Sequence, residues 1–105
     1  LDAADTTQEG THARDGAVRL NGPIDLASAP GIERMLTLRL ATAEEGIALD
    51  LSGTEFMDSS GLSMLVRVQQ KAHARGLPLV LVDPSPAVRR LLEITRVEPL
   101  FTFGA

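Results

Sequence analysis

Asp58, Ser59, Ser60 and Gly61, inside "FMDSSGL" (56–62), put an acid, two hydroxyls and a glycine where a β-type run gives way to a helical period. A helix start there needs one capping oxygen, which Asp58 or Ser59 can supply, so one hydroxyl is left over. The first turn of a helix carries unpaired N–H groups and about half a positive charge. A serine offered at that point can take a phosphoryl group, adding about -1.5 to -2 charge. Asp58 beside it would oppose the new charge, which makes the junction a candidate electrostatic switch. Gly61 costs about 1 kcal/mol of helix propensity against alanine, a sign that another backbone or a partner comes close. The plainer reading, a redundantly polar helix start, fits the spacing equally well.

Other chemistries fit less well. A serine hydrolase needs a base, yet the histidines are His12 in a polar lead and His73 near a helix end, and G-x-S-x-G is absent. The chain has no cysteine, hence no disulfide, thiolate zinc site or cysteine nucleophile. Asp25, Asp50, Glu55 and Asp58 could gather a cation, but acids in strands and loops more often cap or face water, so no cofactor or metal is expected. A formal charge of -4 and a pI near 5.0 disfavour a direct nucleic-acid binder, which usually carries a basic stripe. Aromatics are 3% of the chain, with no Trp or Tyr, so base-stacking platforms are nearly absent. No apolar run approaches the roughly 18 residues of a membrane span, and the polar N-terminus is unlike a signal peptide. A soluble, cytoplasmic, partner-binding domain is expected.

The elements that must position the junction follow from length and period. At 105 residues the chain is read as one domain, able to bury roughly two-thirds of its unfolded surface. Residues 1–16 show no period and read as a flexible lead or frayed edge strand. Ala17–Leu20 is a short strand ended by Asn21-Gly22-Pro23. Ser28 is expected to cap a helix that buries Ile32, Met35, Leu36, Leu40 and Ala43 and leaves Glu33, Arg34 and Arg39 outside. Ile47–Leu51 is a strand. After the junction, Leu62, Leu65, Val66, Gln69 and Ala72 mark an inner helix face, Ser63, Arg67, Gln70 and Lys71 an outer one, and Gly76 a stop. Leu77–Val82 reads as a strand buried on both sides. Ser85 caps a last helix with Val88, Leu91 and Leu92 inward and Arg89 and Arg90 outward, and Leu100–Phe103 is expected to close as a strand. Alternation of strand and helix predicts an α/β fold with helices packed on a largely parallel sheet. Function then gathers at the carboxyl ends of strands, where "FMDSSGL" lies.

"LDLSGTEFMDSSGL" (49–62), with "GPID" (22–25) before it and "SPAVRRLLEITRVEPLF" (85–101) after it, resembles the anti-sigma factor antagonists and the STAS domain they define. The resemblance covers residues 17–103 and implies a STAS-type fold: a mostly parallel sheet of four to five strands carrying about three helices, assigned here to residues 17–105. It further implies a partner-switching module in bacterial stress-response transcription. Its serine directly after the acid of the box, Ser59 here, is phosphorylated by a kinase-type anti-sigma factor that holds the ATP and Mg²⁺. A metal-dependent PP2C-like phosphatase reverses the step. Unphosphorylated, such a protein binds the anti-sigma factor and frees a sigma factor. By the same resemblance the acid of the earlier turn, Asp25, lies near the phosphosite, and the partner-binding face comprises Asp25, Asp58, Ser59, Ser60 and Gly61.

The chain carries no phosphate-binding loop of its own, so it is expected to be a kinase substrate and not an enzyme. Pro23 stands where the family usually has an acid, which puts partner contacts at that turn in doubt. No first edge strand is legible before Gly16 and no helix follows Phe103, so the chain is read as the core of a longer polypeptide. The alternative is a STAS scaffold or docking module of a signalling assembly that releases no sigma factor. Arg89 and Arg90 are read as a solvated face before a rim contact for an acidic partner, and Met57 as core beneath the box.

Overall fold

The computed structural model describes residues 17–104; the expected lead, including His12, lies outside them. Four parallel strands, β1 (Val18–Arg19), β2 (Ile47–Asp50), β3 (Leu79–Val82) and β4 (Thr102–Gly104), stand side by side in sequence order. Three helices, α1 (Ala29–Thr42), α2 (Ser59–Ala74) and α3 (Pro86–Thr95), form the successive crossovers, with a 3₁₀ turn at Glu98–Leu100 before β4. Parallel neighbours cannot be joined by a tight turn, so each crossover needs a helix-length connection. The register sets Val18 beside Leu49, Leu49 beside Leu81 and Leu81 beside Phe103.

Alternation along the strands sorts the sheet into unequal faces. Ile47, Leu49, Leu79 and Leu81 are buried while Ala48 and Val80 between them are only half-buried. The expectation of a third strand buried on both sides is thus corrected at Val80: the run is uniformly apolar, but one face of the sheet is more open than the other. β3 also begins at Leu79, two residues after the expected start, and β4 begins at Thr102 because Leu100 belongs to the 3₁₀ turn.

Helix faces follow the expected period with local adjustments. On α1, Leu36 and Leu40 are buried and Ile32, Met35 and Ala43 pack partly buried against the core. On α2 the fully buried stripe is Gly61, Met64, Leu65, Val68 and Ala72, while Leu62, Val66 and Gln69 are half-buried. The face is therefore turned slightly from the expected one, because α2 packs on both the sheet and α1 and the stripe centres between them. α3 buries Val88 and Leu92 and starts on Ser85, whose Oγ accepts from the Val88 N–H at 3.3 Å with Pro86 in the first turn.

Ser28 does not cap α1. Its backbone is already helical, so its hydroxyl cannot reach forward to the free N–H groups. It accepts from the Asp25 N–H and donates to the Pro23 carbonyl, both at 3.0 Å. The Asp25 carboxylate instead accepts from the N–H groups of Ala27 (3.0 Å) and Ser28 (3.1 Å), and the Ala29 N–H reaches the Asp25 carbonyl at 2.8 Å. The turn at 25–28 is thus a rigid entry to α1 organised by an acid.

Candidate functional site

Two chain crossings at the carboxyl ends of β1 and β2 are tied together. Ile24 forms a parallel bridge with Met57, the Ile24 N–H donating to the Phe56 carbonyl (2.9 Å) and the Asp58 N–H to the Ile24 carbonyl (3.2 Å). Both bridge side chains are buried. Two short apolar anchors, each followed by an acid, therefore set Asp25 and Asp58 at adjacent helix starts.

Asp58 is the cap of α2. Its Oδ1 accepts from the N–H groups of Ser60 (2.9 Å) and Gly61 (3.2 Å), with extended backbone as a cap requires. The choice left open between Asp58 and Ser59 falls to Asp58, the acid being the better match to the positive end of the helix. Ser59 opens the helix itself, exposed, and its hydroxyl makes no hydrogen bond among the described residues; the Ser60 hydroxyl is equally uncommitted but half-buried. Gly61 is buried: a Cβ there would stand 2.8 Å from the Ile24 carbonyl oxygen and 2.7 Å from Met57 Cγ. What comes close at Gly61 is the chain's own backbone, so this residue supports the site from beneath.

Around these positions lie groups that the sequence reading passed over. Leu26 is 75% exposed and Phe56 52% exposed, one after Asp25 and one before Met57. Both are large apolar side chains facing water, and Leu26 lines a groove together with Ser59. The signal was present as apolar residues in otherwise polar turn segments. Between α1 and α2 a groove of about 300 Å³ is lined by Leu26, Glu33, Ser59, Ser60, Ser63 and Arg67 among others. Across it Arg67 meets Glu33: its Nε donates to both Glu33 oxygens and its Nη2 donates to Oε1 at 2.8 Å. Lys71 adds a longer contact to Glu33 (3.4 Å) and a hydrogen bond to Thr37 (3.0 Å). The Arg67 guanidinium holds the Glu33 carboxyl below its ordinary value, and Glu33 in turn raises Arg67. The reading of Glu33, Arg67 and Lys71 as simple outer faces missed this clasp, since partners 34 residues apart leave no local pattern.

Asp50 is buried, with Oδ1 accepting from the Ser52 N–H and hydroxyl. Glu55, His73, Arg89 and Arg90 are exposed, and Met57 is core. No three of His, Asp or Glu among the described residues are grouped to hold a metal ion. Among the same residues no helix is long and apolar enough to cross a membrane.

The parallel α/β layer thus presents an exposed serine, directly after an acid that caps the helix, at a strand-to-helix junction. The STAS domain model matches residues 5–105, and the chain belongs to that family. It is 28% identical to the anti-sigma-B factor antagonist of Staphylococcus aureus over 79% of this chain and 77% of that one. To the anti-sigma F factor antagonist of Paenibacillus polymyxa it is 27% identical over 80% of this chain and 75% of that one. An anti-sigma factor antagonist from Mycobacterium paratuberculosis superposes with a TM-score of 0.74 at 27% identity, over 89% of this chain and 80% of that one. The unphosphorylated form of the antagonist SpoIIAA shares the fold, with a TM-score of 0.66 at 21% identity over 86% and 78% of the two chains.

Proposed function

We propose that this protein is an anti-sigma factor antagonist switched by phosphorylation of Ser59. In the unphosphorylated state the face around Asp25, Leu26, Phe56, Asp58, Ser59 and Ser60 docks on a cytoplasmic, kinase-type anti-sigma factor and thereby frees a sigma factor. Gly61 belongs to that face as the residue that lets Ile24 draw the two turns together. The partner holds ATP and Mg²⁺. Attack by the Ser59 oxygen on the γ-phosphorus forms the phosphoester, releases ADP and gives up the hydroxyl proton to a base of the partner. The protein is thus a substrate of the kinase and later of a PP2C-like phosphatase, and not an enzyme.

The observation that carries this reading is the division of labour at the box. Asp58 satisfies the free N–H groups of Ser60 and Gly61, which leaves the exposed Ser59 hydroxyl without a structural task. Membership in the STAS family and likeness to named antagonists support the partner class. A phosphate at Ser59 would stand next to the Asp58 cap and in the groove that the exposed Leu26 lines. Both like-charge repulsion and the cost of desolvating a dianion then oppose docking.

Intact mass and site mapping after incubation with candidate anti-sigma kinases, ATP and Mg²⁺ test the reading. One phosphate is expected, absent in Ser59→Ala and retained in Ser60→Ala. Ser59→Ala should keep binding the kinase and Ser59→Glu should bind at least tenfold more weakly. Equal affinities for the wild type and both variants, or a phosphate on Ser60, would refute it. A large homo-assembly without a one-to-one kinase complex would instead favour a scaffold.

A further inference from the structure

The groove between α1 and α2 gives the Ser59 site a feature that docking alone does not require. Ser59, Ser63 and Arg67 follow one another at four-residue steps along a single ridge of α2, and all three line the groove with Glu33. Ser59 and Arg67 are eight residues apart, about 12 Å along the axis. Long helical side chains lean toward the N-terminus, so Arg67 leans toward Ser59, with the Ser63 hydroxyl midway. An anion on Ser59 has few other partners, because the Ser60 and Gly61 N–H groups that a helix start would lend it already serve Asp58.

Resting on the reading of Ser59 as phosphoacceptor, we infer that Arg67 is the internal receptor of the phosphate and exchanges Glu33 for phosphoserine when the switch is thrown. The exchange leaves Glu33 neutralised, because Lys71 already stands 3.4 Å from its other oxygen. The Arg67 side chain is half exposed, so it can leave Glu33 without crossing packed core. The Glu33–Arg67 pair joins α1 to α2, and when it opens the Lys71 contacts to Glu33 and Thr37 still tie the two helices. Phosphorylation then acts on the docking face by its own charge and, through the move of Arg67, by rearranging the groove that Leu26 lines. The charged groups around the phosphate are Asp58 at the cap, Asp25 on the neighbouring turn, and Glu33 and Arg67 in the groove. Arg67 is the cation among these four.

The test uses the full chain with phosphoserine built in at position 59 during translation, so that it does not depend on any kinase. The second ionisation of the phosphate is followed by ³¹P NMR in the wild type, Arg67→Gln, Arg67→Lys and Glu33→Gln. Arg67→Gln should raise the apparent pKa by about half a pH unit, the size expected for losing one cation at several ångströms in a wet groove. Arg67→Lys should restore most of the shift. Glu33→Gln, which frees Arg67, should lower the value by more in the wild-type background than in the Arg67→Gln background; equal drops in both would reduce Glu33 to a bare repulsive charge and refute the exchange. If the phosphate titrates identically in the wild type, Arg67→Gln and Glu33→Gln, the receptor role is wrong. Kinase mapping on Ser59 separately decides whether the site is modified at all, so the two ideas fail by different results.

Discussion

Gly61→Ala is the substitution on which the geometry of the site makes its sharpest demand. Alanine in a helix interior ordinarily gains about 1 kcal/mol over glycine. Here the added methyl carbon would lie 2.7 Å from Met57 Cγ, 2.8 Å from the Ile24 carbonyl oxygen and 2.9 Å from Ile24 Cγ2. Met57 can shift, but the carbonyl cannot give way without moving the backbone that accepts from the Asp58 N–H. Overpacking of this kind costs about 1–3 kcal/mol, and the fixed carbonyl argues for the upper half. The net expectation is a loss of about 1–2 kcal/mol, or roughly 5–15 °C in Tm for a domain of this size. Gly31→Ala is the control, since nothing lies within 4 Å of its added carbon on the exposed side of α1; it should stabilise by up to about 1 kcal/mol. With no Trp or Tyr in the chain, urea and thermal unfolding are best followed by far-ultraviolet circular dichroism. Gly61→Ala should also weaken kinase binding by more than its stability loss explains, because it pries the Asp25 turn from the box. Opposite signs for the two glycines support the account. A Gly61→Ala protein as stable as the wild type would refute the close approach of Ile24.

Thr54 is fully buried, its hydroxyl donating to the Leu20 carbonyl (2.8 Å) while its own carbonyl accepts from the Ser85 hydroxyl (2.5 Å). Thr54→Val keeps the shape and strands the Leu20 acceptor, so a chemical melt should show a loss of about 1–3 kcal/mol. Arg96 ends α3 at φ 60°, its N–H reaching Glu93 while the Val97 N–H reaches Leu92. Arg96→Gly should therefore raise stability by about 1 kcal/mol, and a drop in Tm would contradict the left-handed cap. Glu33 has a folded pKa below its ordinary value of 4.5, chiefly through its hydrogen bonds from Arg67. A depressed carboxyl contributes stability that is present above the unfolded value and lost as pH falls through the folded one. Between about pH 5 and pH 3 the wild type should lose stability faster than Glu33→Gln. Parallel pH profiles would show the clasp to be absent in solution.

The amino-acid pattern alone determined the alternation of strand and helix, the inward faces of α1 and α3, the Ser85 start of α3 and the position of the box at a strand end. These follow from local causes, namely a period of two or 3.6, a capping side chain and a turn residue, each acting within a few positions. It also named Asp58 as one of two possible caps and Met57 as core. The tertiary structure alone decided that Asp25, and not Ser28, organises the entry to α1, because that depends on the backbone angles at Ser28. It alone showed that Gly61 answers to Ile24, that Leu26 and Phe56 face water, and that Val80 lies on the more open face. The Glu33–Arg67 clasp, spanning 34 positions, was equally illegible, since its two charges read as ordinary solvated faces until α1 and α2 pack side by side. Contacts between elements depend on which faces are brought together, and a local pattern of residue types does not encode that pairing.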